Sequence, residues 1–281
     1  SELLARARRA AGGFRASGIG PGDSVALLLR NDFAFLEASL GATIAGGYAV
    51  PVNWRWAPDE VAYLLNDCDA RIVVAHADLL YLLPAGPRAP RLLRVPLSPE
   101  LRSAYPGGPE QADGEEWEGW LAKQPSWQGP PAPPRESMIY TSGTTGRPKG
   151  VRRQPPTPGQ VEGMARNRAQ LYGLRPGIRA LLPGPLYHSA PNSFGLRAAQ
   201  LAELLVLMPR FDAEEFLALV ERHRIDTAFV VPTMMVRLLR LPDAVRRRYD
   251  TSSLRHVTHA AAPCPPEVKR AVIEWWGPVV H

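Results

Sequence analysis

The chain has 281 residues, with 33 Lys and Arg against 27 Asp and Glu and a formal net charge of +6. Apolar residues make up 45% of the sequence and charged residues 21%, values that exclude disorder as a description of the whole chain. No apolar run approaches the roughly 18 residues that a membrane span requires, and two cysteines do not form a disulfide framework. Because the basic start leads into no apolar segment, we expect a cytoplasmic protein with neither a secretory signal nor a membrane span.

Arginine carries nearly all of the positive charge, because only Lys123, Lys149 and Lys269 are lysines. These charges are spread along the chain apart from 246–248, whereas a nucleic-acid-binding protein more often shows a basic stripe with aromatic residues. We therefore expect no nucleic-acid partner. The histidines are scattered, and the sequence contains no metal-ligand cluster.

In the first half of the chain, apolar strand-like runs alternate with helical patterns. Asn31 or Asp32 suits the N-cap of one helix, and Pro58 with two following acids suits the first turn of the next. We predict, in chain order, strand 24–29, helix 33–45, helix 57–66 and strand 71–75.

Proline and glycine interrupt this alternation over 84–134, which predicts a long surface excursion with one short helix near 115–123. We then predict five strands, at 137–140, 179–182, 204–208, 227–230 and 256–260. We also predict five helices: 161–172, one that begins near 192, 213–223, 233–241 and 266–276. This alternation predicts an α/β fold with largely parallel sheets flanked by helices. Residues 279–281 look like the first residues of another strand, so we expect an incomplete domain.

One segment has the composition of an anion-binding loop. It reads Thr141, Ser142, Gly143, Thr144, Thr145, Gly146, Arg147, Pro148, Lys149 and Gly150. Glycines permit positive φ and expose consecutive N–H groups, hydroxyls add donors, and lysine adds a mobile charge, so the segment predicts phosphate binding. It lacks the spacing of the NTPase P-loop. The alternative interpretation is a flexible linker, but linkers do not usually follow an apolar strand.

This segment resembles the phosphate-loop signature of the adenylate-forming enzymes, which include acyl-CoA synthetases, peptide-synthetase adenylation domains and luciferases. The resemblance extends over nearly the whole chain, through the motifs at 20–26, 46–53, 185–189 and 260–267. It implies that residues 1–281 are the N-terminal AMP-binding domain of such an enzyme, in incomplete form, with the phosphate loop at 141–150.

The resemblance also implies a two-step reaction. A carboxylate attacks the α-phosphate of ATP to give an acyl-adenylate and pyrophosphate, and the thiol of coenzyme A then displaces AMP. The loop, including Thr141 and Lys149, would hold the β- and γ-phosphates, with Mg²⁺ sharing their charge and Thr145 facing the metal. Lys149, Thr141 and His188 are the expected catalytic residues.

An acid pocket is implied by the same resemblance. It would be lined by His188, Asn192, Phe194, Gly195, Ala260, Ala261, Ala262 and Pro263. The small side chains favour a fatty or bulky ring-bearing acid. Each assignment has an alternative interpretation. His188 would be a polar loop residue, the helix from Asn192 would be an ordinary core helix, and the small residues at 260–263 would serve close helix–strand packing.

Two departures limit the resemblance. After the loop, 152–155 read Arg-Arg-Gln-Pro where many members have a polar residue and a Thr-His pair. The family's Tyr-Gly-x-Thr-Glu motif, its ribose-binding Asp and its small C-terminal domain with the adenylation lysine would all lie beyond His281, so we expect this chain alone to be inactive.

Two alternative functions stay open. A peptide-synthetase-type adenylation domain would typically bind its amine through an Asp in the acid-pocket region, and 187–196 has no carboxylate. The other is a non-catalytic, truncated nucleotide-binding fragment. The acceptor thiol belongs to coenzyme A or to a carrier protein, and both a monomer and a homodimer stay open.

Overall fold

The structure is a computed structural model that describes residues 2–86, 89–141 and 147–281. The chain divides into two compact units. Unit 1 comprises Ser1–Pro156 with Leu186–His188, and unit 2 comprises Thr157–Pro185 with Ser189–His281. The predicted α/β fold with largely parallel sheets is confirmed, because each unit contains a parallel sheet with its own helices.

The main sheet of unit 1 has five strands in the order β2-β1-β3-β4-β5, and all its neighbours pair in parallel. The strands are β1 (Ser24–Leu28), β2 (Tyr48–Pro51), β3 (Ala70–His76), β4 (Arg91–Val95) and β5 (Glu115–Glu116). Every residue of β1 and β2 is buried. Central parallel strands are covered on both faces, which explains why 25–29 is a continuous apolar run.

In the described part of unit 1, five α-helices accompany this sheet: α1 (Glu2–Ala16), α2 (Phe33–Ala45), α3 (Pro58–Asp67), α4 (Pro99–Ala104) and α5 (Trp117–Ala122). A 3-10 helix, Ala77–Leu82, follows β3. Asp32 caps α2 by accepting the N–H of Phe33 at 2.6 Å. Gly46 ends the helix with φ of 91° and returns its N–H to the carbonyls of Ala42 and Thr43.

The structure differs from the surface excursion expected over 84–134. This segment supplies β4 and β5 to the sheet and contains α4 and α5. Trp117 and Trp120 are 0% and 2% exposed, and the Trp120 ring centroid lies 5.4 Å from that of Phe14 in α1. The two tryptophans therefore belong to the core of unit 1.

The sheet of unit 2 has four parallel strands in the order β11-β10-β8-β9. They are β8 (Arg179–Leu182), β9 (Leu204–Leu207), β10 (Thr227–Val230) and β11 (His256–His259). Its helices are α6 (Pro158–Tyr172), α7 (Ser189–Leu201), α8 (Ala213–His223), α9 (Pro232–Leu239), α10 (Asp243–Arg246) and α11 (Pro266–Trp276). Asp212 caps α8 by accepting the N–H groups of Glu214 and Glu215, each at 3.0 Å.

Several boundaries differ from the sequence predictions. The predicted strand 137–140 is shorter, because only β6 (Tyr140–Thr141) forms a ladder, with β7 (Lys149–Gly150). Upstream of it, the N–H of Met138 donates to the carbonyl of Ala49 at 2.9 Å. Helix α7 begins at Ser189 rather than near Asn192. The strand expected to begin at 279–281 is supported by the parallel bridge between Val257 and Val280.

Candidate functional site

A short antiparallel hairpin brings two predicted phosphate-binding residues together. β6 and β7 pair Tyr140 with Gly150 and Thr141 with Lys149. Thr141 and Lys149 are therefore directly opposite each other, and both are exposed. The other predicted loop residues, including the predicted metal ligand Thr145, lie outside the described residues: Ser142, Gly143, Thr144, Thr145 and Gly146.

Close packing at the base of the hairpin requires glycine at position 150. A Cβ there would lie 2.4 Å from the Cε atom of Met138 and 2.6 Å from the ring of Tyr140. Such separations are far below van der Waals contact, so a side chain would push the two strands apart. The glycine in the Pro-Lys-Gly end of the motif is thus explained by its contact with Tyr140.

The segment after the hairpin is fixed by polar contacts. The O–H of Tyr48 donates to the carbonyl of Arg153 at 2.9 Å, and Arg153 contacts the carboxylate of Glu136 at 2.6 Å. Arg135 donates to the hydroxyl of Tyr48 at 2.8 Å and to the carbonyl of Gly46 at 3.1 Å. These bonds give a structural role to part of the sequence, 152–155, that departs from the family pattern.

The Leu186–His188 segment packs within unit 1. The N–H of Leu186 donates to Oδ1 of Asn31 at 2.8 Å. The ring of Tyr187 meets that of Trp54 edge-on, with centroids 6.0 Å apart. Asn31 and Trp54 thereby hold the backbone and the aromatic residue that precede His188.

His188 lies against Tyr187 with ring centroids 4.3 Å apart, and it stays exposed. Desolvation of the ring, followed by the positive charge of Arg55, lowers the pKa of His188 from its ordinary value. Burial, the largest cause, raises the pKa of Tyr187. At neutral pH His188 is therefore a neutral imidazole, with one donor and one acceptor nitrogen.

The pocket residues predicted on α7 lie inside unit 2. Asn192 and Phe194 are 3% and 1% exposed, and Gly195 is also buried. The ring of Phe194 packs 5.8 Å, centroid to centroid, from that of Phe229 in β10. Phe194 thus contributes to the core of this unit.

The predicted pocket loop 260–263 follows β11. Ala260 is half-buried and donates its N–H to the carbonyl of Val230 at 3.4 Å, whereas Ala261, Ala262 and Pro263 are exposed. Ala261 has φ of 72°, in the left-handed region that side chains resist. Phe194 and Ala260 therefore approach neighbouring residues of β10, while Thr141, Lys149 and His188 lie in unit 1.

Several residues that position this site were not predicted from the sequence. The sequence predicts Asn31 only as a helix-cap candidate and Tyr140 only as a strand residue, and it gives Trp54 no place in the site. The signal that could have identified Tyr140 is its place directly before the glycine-rich segment. No local pattern indicated that Asn31 would contact Leu186, because 155 residues separate them.

Outside the predicted site, the described residues include a cavity but no metal-binding cluster. Within the described ranges, no group of three or more His, Cys, Asp or Glu side chains is arranged to hold a metal ion. A cavity of about 250 Å³ in unit 1 is lined by residues that include Val73, Leu80 and Leu92, and contains no predicted site residue. In the part of the chain that the structure describes, no helix is both long and apolar enough to cross a bilayer.

Comparison with known proteins identifies the family. The profile of the AMP-binding enzymes matches residues 1–281, and the chain belongs to this family. It is 34% identical over 272 residues to a feruloyl-CoA synthase of an Amycolatopsis species, covering 95% of this chain and 50% of that protein. It is 29% identical over 274 residues to a long-chain-fatty-acid–CoA ligase of Mycobacterium tuberculosis, covering 94% of this chain and 50% of that protein.

A solved structure supports the same assignment. The inhibitor-bound N-terminal domain of FACL13 from Mycobacterium tuberculosis superimposes with a TM-score of 0.74 at 27% identity. The match covers 97% of this chain and 65% of that one. The resemblance to adenylate-forming enzymes is thus confirmed, and the chain spans about half the length of the curated relatives that it matches.

Proposed function

We propose that this chain is the phosphate-binding part of an ATP-dependent, AMP-forming acid–CoA ligase. The observation that carries the proposal is the hairpin that places Lys149 opposite Thr141, both exposed, at the two ends of the glycine-rich segment. Family membership and the similarity to two CoA ligases support this reading.

Lys149 would supply the positive charge for the β- and γ-phosphates of ATP. An ammonium on a flexible stem acts as a point charge that follows a phosphate oxygen, and Thr141 adds a hydroxyl from the opposite strand. Catalysis would consist of positioning and charge stabilisation. A carboxylate oxygen attacks the α-phosphorus and pyrophosphate leaves; a thiolate sulfur then attacks the acyl carbon and AMP leaves.

His188 would contribute a neutral side chain near the reacting carboxylate. Because its pKa is lowered, the ring carries no fixed charge at neutral pH and does not pair with the acid as a cation. Its exposed edge would offer one hydrogen bond, while Tyr187 fixes the ring plane. This role suits orientation of the substrate better than neutralisation of its charge.

Mg²⁺ would enter with the triphosphate. This ion is commonly held by one or two protein oxygens together with substrate phosphates, so it does not need a preformed carboxylate cage. The exposed hydroxyl of Thr141 and the sequence position of Thr145 fit such a site. The metal would share the charge of the phosphates that Lys149 also contacts.

The acid is proposed to be fatty or bulky and aromatic. The relatives named above act on feruloyl and long-chain acyl groups, and small residues occupy three positions of the predicted pocket loop. Helix α7 carries no Asp or Glu, which disfavours an amine-bearing substrate. Coenzyme A is the proposed thiol, and a carrier-protein thiol is the alternative.

The phosphate role is tested by calorimetric titration of a protein that carries this chain with Mg²⁺·ATP. A charge-assisted hydrogen bond is worth about 1.5–3 kcal/mol, so Lys149→Ala should weaken ATP affinity roughly 10- to 150-fold. The matched control is Lys123→Ala, which removes the same charge from a side chain that is 72% exposed and 3.5 Å from Glu115. Equal affinities in both variants would contradict the phosphate role.

The reaction is tested separately, in a protein that carries this chain. Exchange of labelled pyrophosphate into ATP should depend on added ferulate or on a long-chain fatty acid, and an amino acid should not replace them. Exchange that responds only to amino acids would favour the peptide-synthetase alternative. ATP binding without exchange for any acid would favour the non-catalytic fragment.

A further inference from the structure

The C-terminal turn of α3 contacts both sides of the phosphate hairpin. The guanidinium of Arg147 lies over the ring of Tyr63, 4.9 Å from its centroid, and the O–H of Tyr140 donates to Oδ2 of Asp67 at 2.5 Å. Beyond the hairpin, Arg152 donates to the main-chain carbonyl of Cys68 at 3.1 Å. All of these residues belong to unit 1.

The two α3 side chains that contact the hairpin region lie on one face of the helix. Tyr63 and Asp67 are four residues apart, so their side chains project from neighbouring turns on the same side. Cys68 is the C-cap residue, and its carbonyl is one of the groups that a helix end leaves without an intrahelical donor. The positive charge of Arg152 at this end also complements the helix dipole.

Asp67 stands where an isolated helix would not favour it. A carboxylate at the last residue of a helix faces the negative end of the dipole, so local propensity does not account for it. The hydrogen bond that it accepts from Tyr140 accounts for a carboxylate at this position. Burial, followed by the hydrogen bond to Asp67, raises the pKa of the Tyr140 phenol, so this side chain remains a donor throughout the stable pH range.

The contacts bracket the two proposed phosphate ligands along the chain. Tyr140 directly precedes Thr141, and its ring is further confined by Gly150. Arg147 lies two residues before Lys149. On each side of the hairpin, a contact with α3 therefore lies within two residues of the exposed side chain, Thr141 or Lys149.

We propose that Tyr63 and Asp67 of α3 are positioning residues that hold Thr141 and Lys149 in register for phosphate binding. The inference rests on the proposed function, because it assigns a purpose to the geometry of the same hairpin. Neither residue touches the phosphate itself. Asp67 acts through Tyr140, and Tyr63 acts through Arg147.

The test combines amide hydrogen exchange with ATP titration on a protein that carries this chain. Asp67→Leu removes the acceptor of Tyr140, whereas Asp67→Asn keeps an acceptor oxygen. Tyr63→Leu removes the ring beneath Arg147, whereas Tyr63→Phe keeps it. The matched control is Glu60→Ala, which removes the carboxylate that accepts the N–H of Ala57 at the start of α3, remote from the hairpin contacts.

We expect faster exchange of hairpin amides in both Leu variants. ATP affinity should fall about 10-fold for Asp67→Leu and roughly two- to fivefold for Tyr63→Leu, with near wild-type values for Asp67→Asn and Tyr63→Phe. Glu60→Ala should lower the melting temperature without changing hairpin exchange. Asp67→Leu combined with Tyr140→Phe should be no worse than the more affected single variant, because both break the same bond.

The outcomes separate this inference from the proposed function. A wild-type protein that carries this chain and binds no ATP overturns the proposed function and the positioning role together. ATP binding by the wild-type protein, with hairpin exchange or ATP affinity unchanged in Asp67→Leu and Tyr63→Leu, overturns the positioning role alone. Tyr140→Phe retains the packed ring, so it reports on the Tyr140–Asp67 bond even if Asp67→Leu fails to fold.

Discussion

Oδ1 of Asn31 accepts the backbone N–H of Leu186 at 2.8 Å across 155 residues of sequence. Both residues are nearly inaccessible, with exposures of 5% and 1%. The bond accounts for the grouping of Leu186–His188 with unit 1, although the residues on either side belong to unit 2. The turn after β1 therefore fixes the backbone from which His188 projects.

Removal of this acceptor should destabilise the protein measurably. Asn31→Ala deprives the Leu186 N–H of its acceptor in a buried setting, which costs about 1–3 kcal/mol. The matched control is Asn53→Ala, because Oδ1 of Asn53 accepts the N–H of Arg55 at 3.0 Å at an exposed position. We expect a change within about 0.5 kcal/mol there. Urea unfolding measures both, and equal losses would show that burial of the Asn31 bond is irrelevant.

The base of the β6–β7 hairpin offers a second test. Gly150→Ala places a methyl group 2.6 Å from the Tyr140 ring, and such overpacking typically costs about 1–3 kcal/mol. Gly163, inside α6, has no atom within 4 Å of the corresponding position, so Gly163→Ala should stabilise by about 0.5–1 kcal/mol. In thermal unfolding, Gly150→Ala should lower the melting temperature and Gly163→Ala should raise it. An unchanged melting temperature in Gly150→Ala would contradict the packing argument.

Elements with clear local signals were predictable from the sequence. Helix α8 runs from Ala213 to His223 as predicted, because its apolar period and its Asp212 cap are local features. Helix α1 was not predicted, because its sequence is rich in arginine and interrupted by two glycines. Its stability comes from packing, since Ala7, Ala10 and Phe14 are 0% exposed. Contacts of that kind join distant segments and leave no periodic signal.

In the candidate site, too, residues with a local sequence signal differ from residues that only long-range contacts bring in. Thr141 and Lys149 are predicted as phosphate ligands because hydroxyls, glycines and a lysine within ten positions define a local chemistry. The residues that hold them could not be predicted, because Asp67 lies 73 residues from Tyr140 and has no unusual neighbours in sequence. The sequence predicts a surface excursion around Trp117 and Trp120 because the neighbouring prolines and glycines dominate the local pattern.

The backbone of the predicted pocket loop makes a third prediction possible. Among the described residues, positive φ at a non-glycine position occurs at Asp69, Arg224 and Ala261. A β-branched side chain is strongly disfavoured there, so Ala261→Val should cost about 1–3 kcal/mol. Ala261→Gly should be neutral or stabilising. At the neighbouring exposed Ala262, a change to Val should stay within about 0.5 kcal/mol.

Chemical denaturation of the four proteins, with wild type as reference, measures these differences. The left-handed turn fixes the direction in which the loop leaves β11. If Ala261→Val and Ala262→Val were equally stable, the turn would not constrain the loop. Ala261→Gly would then also lose its expected advantage.

His259 gives stability a specific dependence on pH. It ends β11, and among the described residues neither of its ring nitrogens, both inaccessible to solvent, has a hydrogen-bond partner. Desolvation, followed by the positive charge of Lys269, lowers the pKa of His259 from its ordinary value of about 6.5. In the window below that value the unfolded chain binds a proton that the folded chain does not, so stability falls as pH falls.

His259→Leu should therefore flatten the decline in unfolding free energy between about pH 7.5 and 5, while leaving stability at pH 7.5 equal or higher. His188 and His256 also have pKa values lowered chiefly by desolvation, so part of the decline should remain. Lys269→Met should raise the pKa of His259 and flatten the decline to a smaller extent. Urea unfolding across this range, with an NMR titration of the His259 ring, measures both effects. A slope in His259→Leu as steep as in the wild type, or a His259 pKa above 6.5, would contradict the assignment.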